Sequence, residues 1–308
     1  MDRFEELFSK YDFSNLDFES VSNKAHQLVK DGFERNNDKA IYSKLLSFID
    51  ITSLNFGDSY DSIISFVNKI NAFDDHFEIL PHPAAICVFP AFVPIVKDNL
   101  QENLEKDNAR TEFLKSKGYL DIASVIGFPY PHTFTEVKIA EAAMSVMEGA
   151  SEIDYVLPSS SFLAGNYDDV YMELTEVKSA CQNAKLKVIL ETGLLNSPEM
   201  IKKASILSMA AGADFIKTST GKYSINATLE AVYVMATAIK EFNQLNSSKV
   251  GLKVAGGVST TSDAVSYYSM VNAVLGEEWL TPDYFRIGAS KLVNHLLSSI
   301  SGKDIAYF

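Results

Sequence analysis

The sequence predicts a single (β/α)8 barrel, a TIM barrel of the α/β class, preceded by an N-terminal helical extension, and three observations carry that expectation. Eight short apolar runs recur along the chain, each followed by a segment of helical periodicity, the order that a parallel sheet wrapped in helices requires. The chain has 308 residues, enough for one such barrel of about 250 residues with a surplus ahead of its first strand. The last three runs end in glycine-bearing turns, at the end of the barrel where ligands bind. A doubly wound open sheet also alternates strand and helix, but it has fewer strands, and the chain carries no glycine-rich dinucleotide fingerprint.

Residues 1–46 come before any strand signal. Phe4, Leu7, Phe8 and Tyr11 share one helical face, and His26, Leu28 and Val29 fall in a second candidate helix beginning near Ser20. This extension is expected to pack on the barrel as a cap over its floor, with oligomerisation or docking as its alternative use. The predicted strands are Leu46 to Leu54, Ala84 to Phe89, Ile122 to Phe128, Ile153 to Leu157, Leu186 to Glu191, Phe215 to Thr220, Gly251 to Ala255 and Tyr284 to Gly288. Between them lie helical segments at Ser62 to Ile70, Phe92 to Lys117, Phe134 to Glu148, Asp168 to Asn183, Pro198 to Ala211, Ala227 to Phe242 and Ser262 to Leu275, with Lys291 to Ile300 after the last strand. Thr133 stands three residues before Glu136, a capping-box spacing, and Ser197 precedes Pro198, a second start signal. With no low-complexity segment and no Pro-rich linker, residues 47–300 read as one barrel domain and 301–308 as a tail.

The formal charge of -13 and the isoelectric point near 4.9 argue against nucleic acid or an anionic membrane as a general partner, because the overall field repels polyanions. Any phosphate must therefore be held locally. Cys87 and Cys181 lack metal-ligand spacing, and the five histidines form no HxH or HExxH pattern, so no metal is expected. The acidic, amphipathic start is no signal sequence and no apolar run approaches membrane-spanning length, which together predict a cytoplasmic protein.

The chemistry is concentrated in charges embedded within strands. An ionised group in an apolar strand is costly unless it is paired or gives up its charge. Lys217 lies in Ala213-Asp214-Phe215-Ile216-Lys217-Thr218-Ser219-Thr220-Gly221-Lys222. A lone lysine there would extend its ammonium to water. Three further embedded charges change that reading: Lys253 in Val250 to Gly257, Asp154 in Glu152 to Pro158, and Lys187 in Leu186 to Glu191. Four such charges on successive strands suggest one polar centre. A lysine whose pKa is lowered by burial and by a neighbouring cation becomes a nucleophile toward carbonyls. The turns Gly221-Lys222, Gly256-Gly257-Val258-Ser259 and Gly288-Ala289-Ser290 would let backbone N–H groups approach an anion, forming a phosphate cradle beside the lysines.

These segments resemble those of the deoxyribose-phosphate aldolase family. The likeness rests on Gly212 to Gly221, Lys253 to Val258 and Glu152-Ile153-Asp154, with further matches at Asp50 to Asn55, Ala84 to Pro90, Leu186 to Gly193 and Arg286 to Ser290. It covers roughly Ser47 to Ser299. The resemblance implies a class I aldolase that uses no metal or other cofactor and cleaves 2-deoxy-D-ribose 5-phosphate reversibly to acetaldehyde and D-glyceraldehyde 3-phosphate. It implies Lys217 as the Schiff-base nucleophile, Lys253 as the charged neighbour that lowers the Lys217 pKa, and Asp154 as the proton shuttle working through a water. Lys187 would be a second cation orienting Asp154 or Asp50. Thr52, Cys87 and Thr220 would line the sugar end, although a small apolar filler is the commoner role of a strand cysteine. A homodimer and a place in deoxyribonucleotide catabolism are implied on the same ground.

The chain departs from the family pattern twice. Ser259 stands where the family usually has arginine, which removes a cation from the phosphate end and leaves a different acceptor as the alternative to a phosphorylated one. The tail ends Tyr307-Phe308, where several members end in a tyrosine held to reach the active site, so Tyr307 is expected to take that part. A barrel with an added scaffold role is a further alternative, against which the joint presence of Asp154, Lys217 and Lys253 speaks.

Overall fold

The computed structural model describes residues 3–106 and 120–308. Eight parallel strands close into a barrel in sequence order: β1 (Ile49–Thr52), β2 (Ala85–Val88), β3 (Asp121–Ile126), β4 (Glu152–Val156), β5 (Lys185–Ile189), β6 (Phe215–Lys217), β7 (Gly251–Ala255) and β8 (Phe285–Gly288). β6 is shorter than the apolar run that signals it. After Lys217 the Thr218 hydroxyl donates to the Ala255 carbonyl and accepts from the Ala255 N–H, both at 2.9 Å. A side chain thus replaces the backbone ladder and opens the β6 turn.

Around the sheet run α4 (Tyr60–Asn71), α5 (Phe73–Phe77), α6 (Val93–Lys106), α7 (Thr135–Glu148), α8 (Ser159–Leu163), α9 (Tyr167–Ala180), α10 (Pro198–Ala210), α11 (Leu229–Asn246), α12 (Thr261–Leu275) and α13 (Lys291–Ser301). The expected helix from Phe92 to Lys117 is observed from Val93 to Lys106, and its remainder lies outside the described residues. The short α5 and α8 carry no periodic signal.

Strand alternation sorts the side chains into two sets. Ile51, Ile86, Ile153, Val188, Ile216 and Val254 point outward into the large apolar core shared with the helices. Each such side chain stabilises the fold by about 1.5–3 kcal/mol through burial. The inward set includes Asp50, Glu152, Asp154, Lys187, Lys217, Lys253 and Arg286, all buried. Where a barrel of this kind usually stacks branched aliphatics, this one holds an ion network. A small apolar cluster of Leu54, Cys87, Ala123 and Val125, with Phe89 and Phe128, stands apart from the main core beside β1 to β3.

Three helices precede the barrel: α1 (Arg3–Phe8), α2 (Phe18–Asn36) and α3 (Lys39–Leu46), the last two capped by the carboxylates of Asp17 and Asp38. They do not cap the floor as expected. α2 packs across α11 and α12, α3 packs on α13, and Phe4 meets Tyr167 and Tyr171 of α9. The cause lies in α11 and α12, which bury apolar residues on more than one side and so need a second layer outside the sheet-facing one. Gly32 allows that close approach, since a Cβ there would stand 3.2 Å from Ser269 Cβ, and Asn36 donates to the Ser269 hydroxyl at 2.9 Å. At the floor is a separate cavity of about 490 Å³, lined by Ser47, residues of the α5–β2 loop, Asp121, Pro282, Asp283 and Arg286, and by none of the described residues before Ser47. Among the described residues, no helix is long and apolar enough to cross a membrane.

Candidate active site

The polar centre follows from strand register. Lys217 pairs with Lys253 across β6 and β7, Lys253 with Arg286 across β7 and β8, and Asp154 with Lys187 across β4 and β5. Lys217 Nζ and Lys253 Nζ both donate to Asp154 Oδ2 at 2.7 Å. Lys253 has a second carboxylate, Asp50 Oδ2 at 2.5 Å. Lys187 stands 3.3 Å from Asp154 Oδ1, without hydrogen-bonding alignment, and 3.3 Å from Asp50 Oδ2, and it also pairs with Glu152. Arg286 closes the network from below, reaching Asp50 at 2.7 Å, Glu152 at 2.9 Å and Asp121 at 3.2 Å.

Charge balance distinguishes the two mouth lysines. The network's fully buried members are four cations, Lys187, Lys217, Lys253 and Arg286, against three carboxylates, Asp50, Glu152 and Asp154. The surplus is one proton, and Lys217, whose acidic partner is Asp154 alone among the described residues, is the group that yields it most easily. Burial lowers the Lys217 pKa and the Lys253 charge lowers it further, against the pull of Asp154. Burial acts on Lys253 in the same sense, but Asp154 and Asp50 outweigh it and hold that amine above the usual lysine range. Burial would raise Asp154, yet Lys187, Lys217 and Lys253 keep its carboxyl well below the usual range. The arrangement therefore offers a nucleophilic amine, a fixed cation and an ionised carboxylate within hydrogen-bonding reach.

Above Lys217 opens a cavity of about 190 Å³ at the C-terminal ends of the strands. Of the residues expected to bind substrate, Thr52, Thr220, Gly221, Lys222, Gly256, Gly288 and Ser290 line it. Gly256 holds φ of 82°, and a Cβ there would overlap the Asn226 side chain, so both backbone and space require glycine. Ser290 precedes α13 without a side-chain cap and lines the cavity, so that the helix starts at the cavity wall. Lys222 Nζ donates to the Leu54 carbonyl at 2.7 Å across the opening.

Other expected substrate residues sit elsewhere. Asp50 and Lys187 are fully buried in the ion network, where they act on Lys253 and Asp154 and do not line the cavity. Cys87 is equally buried in the inner apolar cluster, and burial pushes its thiol up. Val258 is a core residue, and Gly257 and Ser259 are exposed outside the cavity wall. The Ser259 N–H donates to Asp263 at 3.2 Å, part of the cap of α12. Tyr307 does not reach the mouth. Its hydroxyl donates to the Lys69 carbonyl at 2.6 Å on α4, its ring packs on Phe73 and Phe77, and Asn294 accepts from the Tyr307 and Phe308 N–H groups at 2.9 Å. An aromatic surface on α4 and α5 gives the tail a packing partner that an open mouth lacks.

Glu152, Arg286 and Glu191 belong to the centre or its border without having been singled out. For the first two a signal exists, since each lies two residues along its strand from an inward position, Asp154 or Gly288. Glu191 has none.

A closed barrel with amines and a carboxylate gathered at the C-terminal ends of its strands has the layout of a barrel enzyme's active site. The profile of the DeoC/LacD family aldolases matches residues 58–275, and the chain belongs to that family. It is 38% identical over 291 residues to a Caenorhabditis elegans protein that carries the provisional name deoxyribose-phosphate aldolase, covering 94% of this chain and 90% of that one. Among solved structures it resembles the aldolase QR15, with TM-score 0.64 and 31% identity over 83% of this chain and 96% of that one. It also resembles the tetrameric deoxyribose phosphate aldolase of Aeropyrum pernix, with TM-score 0.62 and 25% identity over 88% of this chain and 96% of that one.

Proposed function

We propose that this aldolase cleaves 2-deoxy-D-ribose 5-phosphate to acetaldehyde and D-glyceraldehyde 3-phosphate, reversibly, through a Schiff base on Lys217. The observation that carries this reading is the sharing of Asp154 Oδ2 by two lysines of which, among the described residues, only Lys253 has a second carboxylate. The free amine of Lys217 adds to the substrate carbonyl, and loss of water from the carbinolamine gives the imine. Lys253 keeps its proton and so keeps the Lys217 pKa down. Asp154, working through a water, moves protons as the carbinolamine dehydrates and the imine and enamine interconvert. The phosphate is assigned to the N–H groups about Gly256, Gly288 and Ser290 and to the start of α13. The name of the Caenorhabditis elegans relative supports the substrate, and the Aeropyrum pernix tetramer supports a homo-oligomer, for which a dimer is the simplest form.

Borohydride trapping with acetaldehyde, followed by mass mapping, tests the chemistry beside a cleavage assay on the phosphorylated sugar. An adduct on Lys217 together with turnover is expected. An adduct without turnover points to another acceptor, and folded protein with no adduct there ends the proposal. Light scattering reads the assembly state.

A further inference from the structure

Glu191 follows β5 by two residues and holds φ of 53°, a left-handed conformation that glycine takes freely and glutamate does not. The pairing slips by one residue at this point, since the Leu190 N–H donates to the Lys217 carbonyl at 2.9 Å and the Thr192 N–H, two residues on, donates to the Thr218 carbonyl, one residue on, at 3.0 Å. Glu191 is thus the extra residue of a bulge, and it carries the left-handed conformation. Its effect is to turn the Glu191 side chain across onto the β6 turn, where it is 5% exposed. There Glu191 Oε2 accepts from the Thr220 hydroxyl at 2.5 Å and from the Thr220 N–H at 3.3 Å. The Thr220 oxygen in turn accepts from the Lys222 N–H at 3.0 Å.

Thr220 lines the cavity beside Lys217, whereas Glu191 does not. A hydroxyl has one proton and two lone pairs. The proton of Thr220 is committed to Glu191 and one lone pair to Lys222, so a ligand meets only the second lone pair. We propose that Glu191 is a positioning residue that makes Thr220 an obligate hydrogen-bond acceptor and so selects an acceptor aldehyde carrying a hydroxyl beside its carbonyl. A glycine at position 191 would remove the strain but leave Thr220 free to turn its proton toward an anion. Strain kept at the rim of a site, where it aims a side chain, fits this role.

The inference rests on the aldolase reading, and the experiment separates the two. Wild-type protein, Glu191→Gly, Glu191→Gln, Thr220→Val and the Glu191→Gly/Thr220→Val double variant are compared in the synthetic direction. The acceptors are glyceraldehyde 3-phosphate and 3-oxopropyl phosphate, which lacks the hydroxyl. Glu191→Gly is the variant that protects the fold, since it relaxes the backbone. The ratio of kcat/KM for the two acceptors should fall about 30-fold in Glu191→Gly and in Thr220→Val, and no more than about threefold further in the double variant. Glu191→Gln, which keeps an acceptor oxygen, should retain the ratio within about fivefold. Losses that multiply in the double variant, or that fall equally on both acceptors, would overturn the proposal, as would loss of acetaldehyde trapping in Glu191→Gly alone. Failure of trapping in the wild-type protein would instead remove the aldolase reading itself.

Discussion

Lys217 and Lys253 donate to the same oxygen of Asp154, each at 2.7 Å, and among the described residues only Lys253 has a further carboxylate, Asp50, at 2.5 Å. Two residues of one type, paired across adjacent strands, are thus made chemically unequal by one neighbour. The consequences can be measured one residue at a time.

Replacing Lys217 by methionine should abolish borohydride trapping and lower kcat by roughly 10⁴-fold or more, since the covalent route is lost. Stability should hold, because a desolvated amine gives way to an apolar chain while Asp154 keeps Lys253 and Lys187. A urea midpoint near wild type beside a dead enzyme is the expected pair of results.

The pH profile should respond to Lys253. In the proposed mechanism Lys217 reacts as the free amine, and its pKa lies below the usual 10.5, so kcat/KM should rise with pH and level off above that lowered value. Lys253→Met removes the nearby cation and leaves Lys217 a larger share of Asp154. Both changes raise the Lys217 pKa, so the acid limb should move to higher pH by about one unit or more. A limb that stays put or moves down would show that Lys253 does not control Lys217.

Arg286 holds the lower half of the network, and Arg286→Met leaves Asp50 and Glu152 short of a cation in the interior. A loss of about 3–5 kcal/mol is expected from denaturant unfolding. The paired variant Arg286→Met/Glu152→Met should recover part of it, because the unpaired charge goes as well.

Removing Tyr307 and Phe308 strips the aromatic packing from Phe66, Phe73 and Phe77. The tail lies on α4 and α5, so the expected cost is stability, about 1–3 kcal/mol, with imine trapping on Lys217 unchanged. A loss of trapping would place the tail at the mouth during reaction.

Ser259→Arg puts a guanidinium near the end of the cavity proposed to take the phosphate, where the Ser259 N–H is engaged by Asp263. KM for the phosphorylated sugar should fall several-fold relative to the free sugar, with kcat little changed, and the gain should shrink in high salt. An unchanged ratio would mean that backbone N–H groups suffice for the phosphate.

The sequence alone determined the eight strands, most helices and the polar interior, because each is a local property. An apolar run marks a strand wherever it lies, and a charge inside that run states its cost without reference to any partner. Lys217, Lys253 and Asp154 are readable in that way, and Glu152 and Arg286 are readable by the two-residue period of a strand once one inward position is known. The helical extension is readable too, but not its seat, which depends on how much of α11 and α12 stays apolar after they pack on the sheet. Partner choice was decided only by tertiary structure. Asp50 meets Lys253 and Arg286 across more than two hundred residues of chain, and Glu191 reaches Thr220 from a different loop. Strand register and barrel closure set those distances, and no periodicity within a single segment encodes them. The inequality of the two lysines therefore arises only when the barrel closes and brings Asp50 to one of them.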